Sequence, residues 1–329
     1  MTRVLLTGAS GFLGRHTAHA LKDAGCTVRA LLRTPQPGPW QEHAQGDVTR
    51  ADTLDAALTD CHVVVHCAGL VSRKPEDAAR LYEVHVAGTK HLLDAAARAG
   101  VHRFVHISTS GTLAVSEDAR AVATEESEPA PGLLARWPYY RTKLFAEQEV
   151  RAAAAAGMPA TILNPSLLLG PGDVQGSSTG DVRDLLEGKV KALPPGGLSY
   201  VDARDVAQLI ARMVTTGAGR PGQRYLLTAC NETVADFAAR VCRAGGVQAP
   251  AVRIPARAAK WLSPAVGMLA RAGVDVGTDS ETADMARHYW YADASLAESE
   301  LGWAPRDVST TLHDTIGDMR ARGSLWPRH

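Results

Sequence analysis

The chain has 329 residues, of which 45% are hydrophobic, and its 35 basic side chains balance its 35 acidic ones. This composition is typical of a globular protein with a large core. The chain lacks the long basic block that would indicate a nucleic-acid partner. No stretch reaches the roughly 20 apolar residues of a membrane span, and a glycine-rich turn comes too early for a signal peptide. The five cysteines lack a C-x-x-C pair, which predicts reduced thiols in a cytoplasmic protein.

The first half of the chain alternates short apolar runs with helical periodicity. This alternation predicts an α/β fold in which helices cover a doubly wound parallel sheet. The predicted elements, in chain order, are strand 3–6, helix 12–24, strand 27–32, helix 53–58, strand 63–66, helix 80–99, strand 104–108, helix 139–156 and strand 160–163.

The regular alternation fades after Pro165, where glycine-rich loops follow. We therefore expect one domain over residues 1–165 and a smaller lobe over 166–329, with the segment 199–230 returning to the main sheet. The apolar, proline-interrupted stretch 254–272 is predicted to form an amphipathic helix on the core of the lobe, and the alternative is that it covers a pocket or contacts a partner. Further predicted elements are strands at 199–201 and 225–227 and helices at 203–214 and 233–244.

Three glycines follow the first predicted strand, where Gly8, Gly11 and Gly14 form a G-x-x-G-x-x-G pattern. Glycine lets the backbone turn sharply and lets a phosphate approach closely, and the next predicted helix begins here with unpaired N–H groups. This junction of strand, turn and helix predicts a dinucleotide-binding Rossmann domain, and the alternative is a glycine turn without a ligand.

Arg33 directly follows the second predicted strand, where NAD-binding folds carry an acidic residue that accepts from the ribose 2′-hydroxyl. An arginine at this place pairs well with a 2′-phosphate and explains a preference for NAD poorly. Arg15 follows the third glycine and would add to the phosphate site. The sequence therefore favours NADP(H) as the cofactor, with NAD(H) as the alternative.

Tyr139 and Lys143 form a Y-x-x-x-K pair on a predicted helix, whereas Tyr140 has no lysine at this spacing. Residues four apart share a helix face, so the ammonium is expected near the phenol. A nearby cation favours the phenolate and is expected to lower the pKa of Tyr139 from its usual value of about 10. Such a phenol suits proton exchange with a substrate oxygen.

Together these motifs resemble the extended branch of the short-chain dehydrogenase/reductase family. The Asn-Pro-Ser sequence at 164–166 is more similar to dihydroflavonol-reductase-type and hydroxysteroid-dehydrogenase-type members than to sugar-nucleotide epimerases, which carry an arginine in place of Asn164. His85 departs from the family pattern, which has an asparagine here. The resemblance runs through nearly the whole chain and includes the segments 67–69, 85–89, 164–172 and 200–207.

The resemblance implies a catalytic triad of Thr109, Tyr139 and Lys143, with Ser110 as the alternative to Thr109. It also implies that Asp47 accepts from the adenine amino group and that Lys143 bonds the nicotinamide ribose. The implied cofactor-binding residues are Thr7, Gly8, Ser10, Gly11, Phe12, Leu13, Gly14, Arg33, Asp47, Val48, Cys67, Ala68, Gly69, Ser108, Tyr139, Lys143, Asn164, Pro165 and Ser166.

We therefore expect an NADP(H)-dependent oxidoreductase that transfers a hydride between nicotinamide and a carbonyl or alcohol carbon of a small ketone, aldehyde, or steroid- or flavonoid-like alcohol. The alternative is a sugar-nucleotide epimerase or dehydratase with tightly bound NAD, against which Arg33 and Asn164 count. A dinucleotide sensor without catalysis is a third hypothesis, against which the intact Tyr139 and Lys143 pair counts. No histidine or cysteine spacing predicts a metal site, and the resemblance implies a homodimer.

Overall fold

In the computed structural model of this chain, the described residues are 1–261, 264, 266, 268 and 280–325. Within these residues, strands form where apolar residues run together, because the middle strands of a parallel sheet are buried on both faces. The strands are β1 (Arg3–Thr7), β2 (Thr27–Leu32), β3 (Glu42–Gln45), β4 (Val63–His66), β5 (Arg103–Ile107), β6 (Val115–Ser116), β7 (Ala160–Pro165), β8 (Leu167–Leu169), β9 (Ala192–Leu193), β10 (Gly197–Asp202), β11 (Arg224–Leu227), β12 (Cys230–Thr233), β13 (Val252–Arg253) and β14 (Tyr289–Trp290).

The helices of the first half are mainly amphipathic and cover the faces of the sheet. The predicted helix 80–99 is interrupted by a π-helical turn, Glu83–Ala87, which separates two α-helical segments. The described α-helices are α1 (Phe12–Asp23), α2 (Leu54–Leu58), α3 (Ala78–Tyr82), α4 (Gly88–Arg98), α5 (Pro131–Leu134), α6 (Pro138–Ala155), α7 (Gly180–Leu186), α8 (Ala203–Thr216), α9 (Val234–Gly245), α10 (Ala256–Ala259), α11 (Ser280–Met285), α12 (Ser295–Leu301) and α13 (Val308–Ala321).

Seven parallel strands form the main sheet in the order β11-β7-β5-β4-β1-β2-β3. Leu6 of β1 pairs with Ala30 of β2 on one side and with Val65 of β4 on the other, and the direction of winding reverses between these neighbours. Leu5 and Leu6 face opposite cores, so helices cover both faces of the sheet. The predicted doubly wound fold is confirmed, and its reversal opens a crevice at the carboxyl ends of β1 and β4.

A second sheet in the order β12-β10-β14-β6, with β8 paired to β10, joins four strands from residues 166–329 with β6 from the first 165 residues. Its core contains Tyr200, Phe237 and Ile316, which come from β10, α9 and α13. Within the segment 199–230, β11 pairs with β7 in the main sheet, whereas β10 pairs with β8 and β12 in the second sheet. The expected return of this segment to the main sheet is therefore partial. Strand β11 joins the main sheet, and helix α8 packs on α1.

Part of the predicted amphipathic helix at 254–272 lies outside the described residues. In the described part, the short helix α10 buries Ala259, and Val266 is buried as well. Across the described ranges, we find no helix long and apolar enough to cross a membrane.

Candidate active site

The glycine-rich turn links β1 to α1 and packs closely against the end of β4. Gly8 has a φ of +67°, and a Cβ at this position would lie 2.6 Å from the carbonyl oxygen of Cys67. A Cβ at Gly14 would lie 2.0 Å from the carbonyl oxygen of Gly8. Because larger residues do not fit at either position, the two glycines allow α1 to begin directly at the edge of the sheet.

The amino end of α1 is open to an anion. Gly11 occupies the N-cap position, no side chain caps the helix, and its first turn contains no acidic residue. Ser10, Gly11 and Arg15 are exposed around this end. Unpaired backbone N–H groups at a helix N-terminus bind phosphate groups, so this end fits a pyrophosphate.

The residues predicted to contact the adenosine side follow β2 and β3. Arg33 is exposed at the end of β2. Asp47 follows β3 and accepts hydrogen bonds from the N–H of Thr49 at 2.9 Å and from its hydroxyl at 3.0 Å, which closes a turn. Val48 is buried against Gly88, where a Cβ would lie 2.9 Å from Val48 Cγ2. The structure thus brings Arg33 and Asp47 to the same edge as the glycine turn.

Thr7 joins the ends of β1 and β4. Its buried hydroxyl pairs with Nδ1 of His66 at 2.7 Å and accepts from the N–H of Ala68 at 3.1 Å. The Thr7 hydroxyl thus connects the two strand ends, and the implied contact of Thr7 with a cofactor stays a prediction. Gly69 follows in the same segment, and a Cβ there would lie 3.4 Å from Nζ of Lys143. The turn after β4 thus connects the dinucleotide crevice to the predicted catalytic lysine.

The predicted catalytic side chains converge where α6 crosses the end of β5. Tyr139, Thr109 and Ser110 line one cavity. Lys143 is buried one helical turn from Tyr139 and donates a hydrogen bond to the carbonyl oxygen of Ile107 at 2.9 Å. This bond holds α6 against β5 and fixes the lysine beneath the cavity wall.

Thr109 and its alternative Ser110 both lie at the end of β5. Thr109 is partly exposed and caps the short helical turn Ser110–Thr112, where its Oγ1 accepts from the N–H of Gly111 at 3.3 Å. Ser110 is 5% exposed. Because Thr109 Oγ1 accepts this bond, its own proton stays available for a substrate oxygen.

Burial dominates the ionisation of the Tyr139 and Lys143 pair. It raises the pKa of Tyr139 above the ordinary value, and the neighbouring Tyr140 adds to this effect. It lowers the pKa of Lys143 to about 8, while Cys67 and Glu147 act in the opposite direction. The expected lowering of the Tyr139 pKa is therefore wrong for this structure, because burial raises this pKa and the Lys143 ammonium bonds a backbone carbonyl instead of the phenol.

Glu147 lies one turn beyond Lys143 on α6 and is 1% exposed. One carboxylate oxygen accepts from the Ser108 hydroxyl, from the Thr112 hydroxyl at 2.8 Å and from the Asn164 amide at 2.7 Å. Burial raises the pKa of Glu147, and these three hydrogen bonds oppose that rise. The network fixes the turn that follows β5. The sequence motifs did not single out Glu147, although its spacing of four from Lys143 was a signal for it.

Asn164 lies beneath the cavity, with no exposed surface, and its amide also donates to the Thr109 carbonyl oxygen at 3.1 Å. The Glu147 network therefore engages the Asn164 amide, and the implied contact of Asn164 with the cofactor stays a prediction. Pro165 and Ser166 do line the cavity. The buried hydroxyl of Ser166 has no hydrogen-bond partner in the part of the chain that the structure describes.

His85 lies in the π-helical turn between α3 and α4 and is 2% exposed. Its Nε2 accepts from the N–H of Leu70 at 3.0 Å, so the proton is on Nδ1, which bonds the Thr142 hydroxyl at 2.9 Å. Burial lowers the pKa of His85 to about 2, so the ring is neutral. The ring also packs edge-on against Tyr139 at 5.6 Å between centroids. His85 thereby fixes both the loop after β4 and one side of Tyr139.

A cavity of about 710 Å³ extends from the catalytic side chains into the smaller lobe. Three aromatic rings form one wall, with centroid distances of 4.8 Å between Tyr140 and Trp290 and 5.3 Å between Trp137 and Trp290. An ion pair between Arg73 and Asp181 at 3.0 Å lies on another side. The volume and the apolar walls suit an organic molecule of moderate size.

The carboxyl edge of the sheet fits a nicotinamide dinucleotide. The backbone cradle at Gly8 and Gly14 has no room for a Cβ, the amino end of α1 is uncapped, and the Ser166 hydroxyl lacks a partner among the described residues. The first two features suit a pyrophosphate, and the third suits a polar group that enters next to the cavity.

Comparisons with known proteins agree with this geometry. The model of the NAD dependent epimerase/dehydratase family matches residues 4–227. A putative dihydroflavonol 4-reductase of Synechocystis is 30% identical over 94% of this chain and 92% of its own length. A 3 beta-hydroxysteroid dehydrogenase/Delta 5-->4-isomerase of Mycobacterium tuberculosis is 32% identical over 79% of this chain and 74% of its own length.

One solved structure, gox2253, is also similar along the whole chain. It has a TM-score of 0.85 and 29% sequence identity, and the match covers 99% of this chain and 100% of the other. The relatives have the names of reductases and dehydrogenases, so this protein is an enzyme of an NAD(P)-dependent class. The chain belongs to the NAD dependent epimerase/dehydratase family.

Proposed function

We propose that this protein is an NADP(H)-dependent oxidoreductase that transfers a hydride between nicotinamide and the carbonyl or alcohol carbon of an apolar substrate. The observation that carries this proposal is the meeting of Thr109, Tyr139 and Lys143 at one end of a largely apolar cavity, beside the glycine turn. The reductase and hydroxysteroid dehydrogenase names of its relatives support it.

The cofactor, when bound, supplies or accepts the hydride. The uncapped end of α1, next to Gly8, Gly11 and Gly14, would hold its pyrophosphate, and the buried Ser166 hydroxyl would offer a hydrogen bond to its nicotinamide end. Arg33 favours the 2′-phosphate of NADP(H), since a guanidinium pairs with a phosphate through two parallel hydrogen bonds.

In the direction of reduction, Tyr139 gives its phenolic proton to the carbonyl oxygen of the substrate, which becomes the alcohol. The Thr109 hydroxyl donates a hydrogen bond to the same oxygen and holds it next to the phenol. The Lys143 ammonium stabilises the negative charge that develops on Tyr139. The raised pKa of Tyr139 keeps the phenol protonated before reaction, as a proton donor requires.

The substrate is proposed to be a ketone or aldehyde with a bulky apolar body, such as a steroid- or flavonoid-like molecule. Trp137, Tyr140 and Trp290 offer flat apolar surfaces next to the reacting end, and Leu185 and Phe237 continue the wall deeper in the lobe. Flat ring systems pack well on such aromatic walls.

The test is the reduction of a panel of carbonyl compounds, including a steroid ketone and an aromatic aldehyde, by Tyr139→Phe and Tyr140→Phe variants. We expect Tyr139→Phe to lower kcat/KM by at least about 100-fold, because it removes the proton donor. Tyr140→Phe keeps the ring that packs on Trp290 and should lose no more than about threefold. Equal activity of the two variants would refute the assignment of Tyr139.

Replacement of Arg33 tests the choice of cofactor. We expect Arg33→Ser to weaken NADPH binding by about tenfold or more and to leave NADH binding unchanged, because only NADPH carries the 2′-phosphate. Side-by-side titrations of both cofactors give the answer, with Arg98→Ser, an exposed arginine on α4, as the control. Equal loss for NADPH and NADH would contradict the role of Arg33.

The second candidate is an epimerase or dehydratase, which the name of the matching family model favours. Such an enzyme returns the hydride to its own substrate and retains NAD between turnovers. Protein purified with one equivalent of NAD and inert towards added NADPH would support this candidate over the first.

A further inference from the structure

The stretch 237–274 differs in charge from the rest of the chain. It contains six basic residues and no acidic residue, whereas the whole chain is neutral. Arg240 is engaged, since it pairs with Glu232 at 2.6 Å. The other five basic residues are Arg243, Arg253, Arg257, Lys260 and Arg271, of which Arg271 lies outside the described residues.

Part of this stretch forms the edge of the substrate cavity. Strand β13 pairs with β9, so that Val252 lies opposite Ala192 and the N–H of Ile254 donates to the Leu193 carbonyl oxygen at 2.9 Å. Ile254 and Leu193 line the cavity, and the buried Val266 lines it as well. The outer side of the same segment therefore lies next to the cavity.

The outer side combines exposed apolar and basic side chains. Trp261 is 66% exposed, Met268 65% and Val252 59%. The Lys260 ammonium lies 5.6 Å from the centre of the Trp261 ring. We call this surface the rim patch, and its members are Val252, Arg253, Arg257, Lys260, Trp261 and Met268.

We propose that the rim patch docks on an anionic lipid bilayer, from which an apolar carbonyl compound enters the cavity. Exposed basic side chains in a stretch that contains no acidic residue are attracted to an anionic surface, and each strengthens binding several-fold. Tryptophan and methionine beside these cations can enter the region of the lipid headgroups and the upper acyl chains. The identity of the cargo rests on the proposed function, whereas the docking itself does not.

Sedimentation with phosphatidylcholine vesicles, with and without phosphatidylglycerol, tests the docking. We expect the unmodified protein to bind only the vesicles that contain phosphatidylglycerol and to dissociate at high salt, because screening weakens such contacts. The double variant Arg257→Glu/Lys260→Glu should lose at least about tenfold in binding, and Trp261→Ser should lose several-fold. None of these three residues lines the cavity.

The control is Lys22→Glu/Lys90→Glu, which makes the same change in charge at exposed positions on α1 and α4. This control should bind vesicles like the unmodified protein. Equal binding by both double variants, or no binding of the unmodified protein, would overturn the proposal. Self-association without lipid that depends on Trp261 would assign the rim patch to a second copy and would also overturn it.

A second readout separates docking from catalysis. Reduction of a water-soluble aldehyde should be the same in the unmodified protein and the Arg257→Glu/Lys260→Glu variant, whereas reduction of a vesicle-held steroid ketone should fall in the variant. If neither compound is reduced by any form, the proposed function fails while the vesicle-binding result still decides the docking. Equal rates on the vesicle-held ketone would contradict delivery from the membrane.

Discussion

Glu147 connects the catalytic turn to helix α6 at the scale of single residues. It is the shared acceptor for Ser108, Thr112 and Asn164, and Asn164 also bonds the carbonyl oxygen of Thr109. Removal of a buried acceptor that several donors share weakens the hydrogen bonding of all of them at once. Glu147 is therefore a positioning residue for Thr109.

Replacement of Glu147 tests this role. We expect Glu147→Ala to lower the free energy of unfolding by about 2–4 kcal/mol, because three buried donors lose their acceptor. Glu147→Gln keeps an acceptor oxygen and should lose less than half as much. Urea denaturation measures both, with Gln148→Ala, an exposed neighbour on α6, as the control. If Glu147→Ala were as stable as this control, the network would not hold the turn.

Short sequence motifs predicted those site residues that lie within a few positions of one another in the chain. The glycine turn, the Tyr139 and Lys143 pair and the hydroxyls that end β5 could all be read from spacing along the chain. The Glu147 network and the place of Asn164 could not, because they depend on contacts between α6, β5 and β7. The pKa of Tyr139 was mispredicted for a similar reason, since burial comes from the whole fold.

At the scale of elements, the glycine turn decides how α1 meets the sheet. Gly14 is inside α1, and a Cβ at this position would lie 2.0 Å from the Gly8 carbonyl oxygen and 2.9 Å from the Cα of Ala9. The helix can thus begin at the sheet edge only with glycine at this position. The π-helical turn also positions a side chain at the site, because it directs His85 towards Tyr139.

Substitutions at two helical glycines, Gly14 and Gly317, distinguish this steric effect from the effect of helix propensity. We expect Gly14→Ala to lower the melting temperature and to weaken NADPH binding at least about tenfold, because the added methyl group displaces the phosphate-binding turn. Gly317→Ala in α13 has open space around its Cβ and should stabilise the protein by about 0.5–1 kcal/mol. Thermal unfolding and NADPH titration check both, and tight NADPH binding by Gly14→Ala would contradict the close fit.

At the scale of the whole molecule, the sheet supplies the cofactor edge and the smaller lobe closes the cavity over it. The alternation of apolar runs and helices predicted the main sheet well, because each β-α unit is local. The second sheet was harder to predict, because its strands are spread along the chain from β6 at residues 115–116 to β14 at residues 289–290. The return of β11 to the main sheet ties the lobe to the catalytic edge.

Hydride transfer from NADPH to an external substrate is the step that distinguishes the proposed reductase from an epimerase or dehydratase. The most direct test uses NADPH with deuterium at the transferable position of the nicotinamide, together with a carbonyl compound that the enzyme consumes. We predict that deuterium appears on the carbinol carbon of the product and that one NADP⁺ is released for each turnover. An unlabelled product formed while the added NADPH stays unchanged would contradict this account and would indicate the internal hydride return of an epimerase or dehydratase.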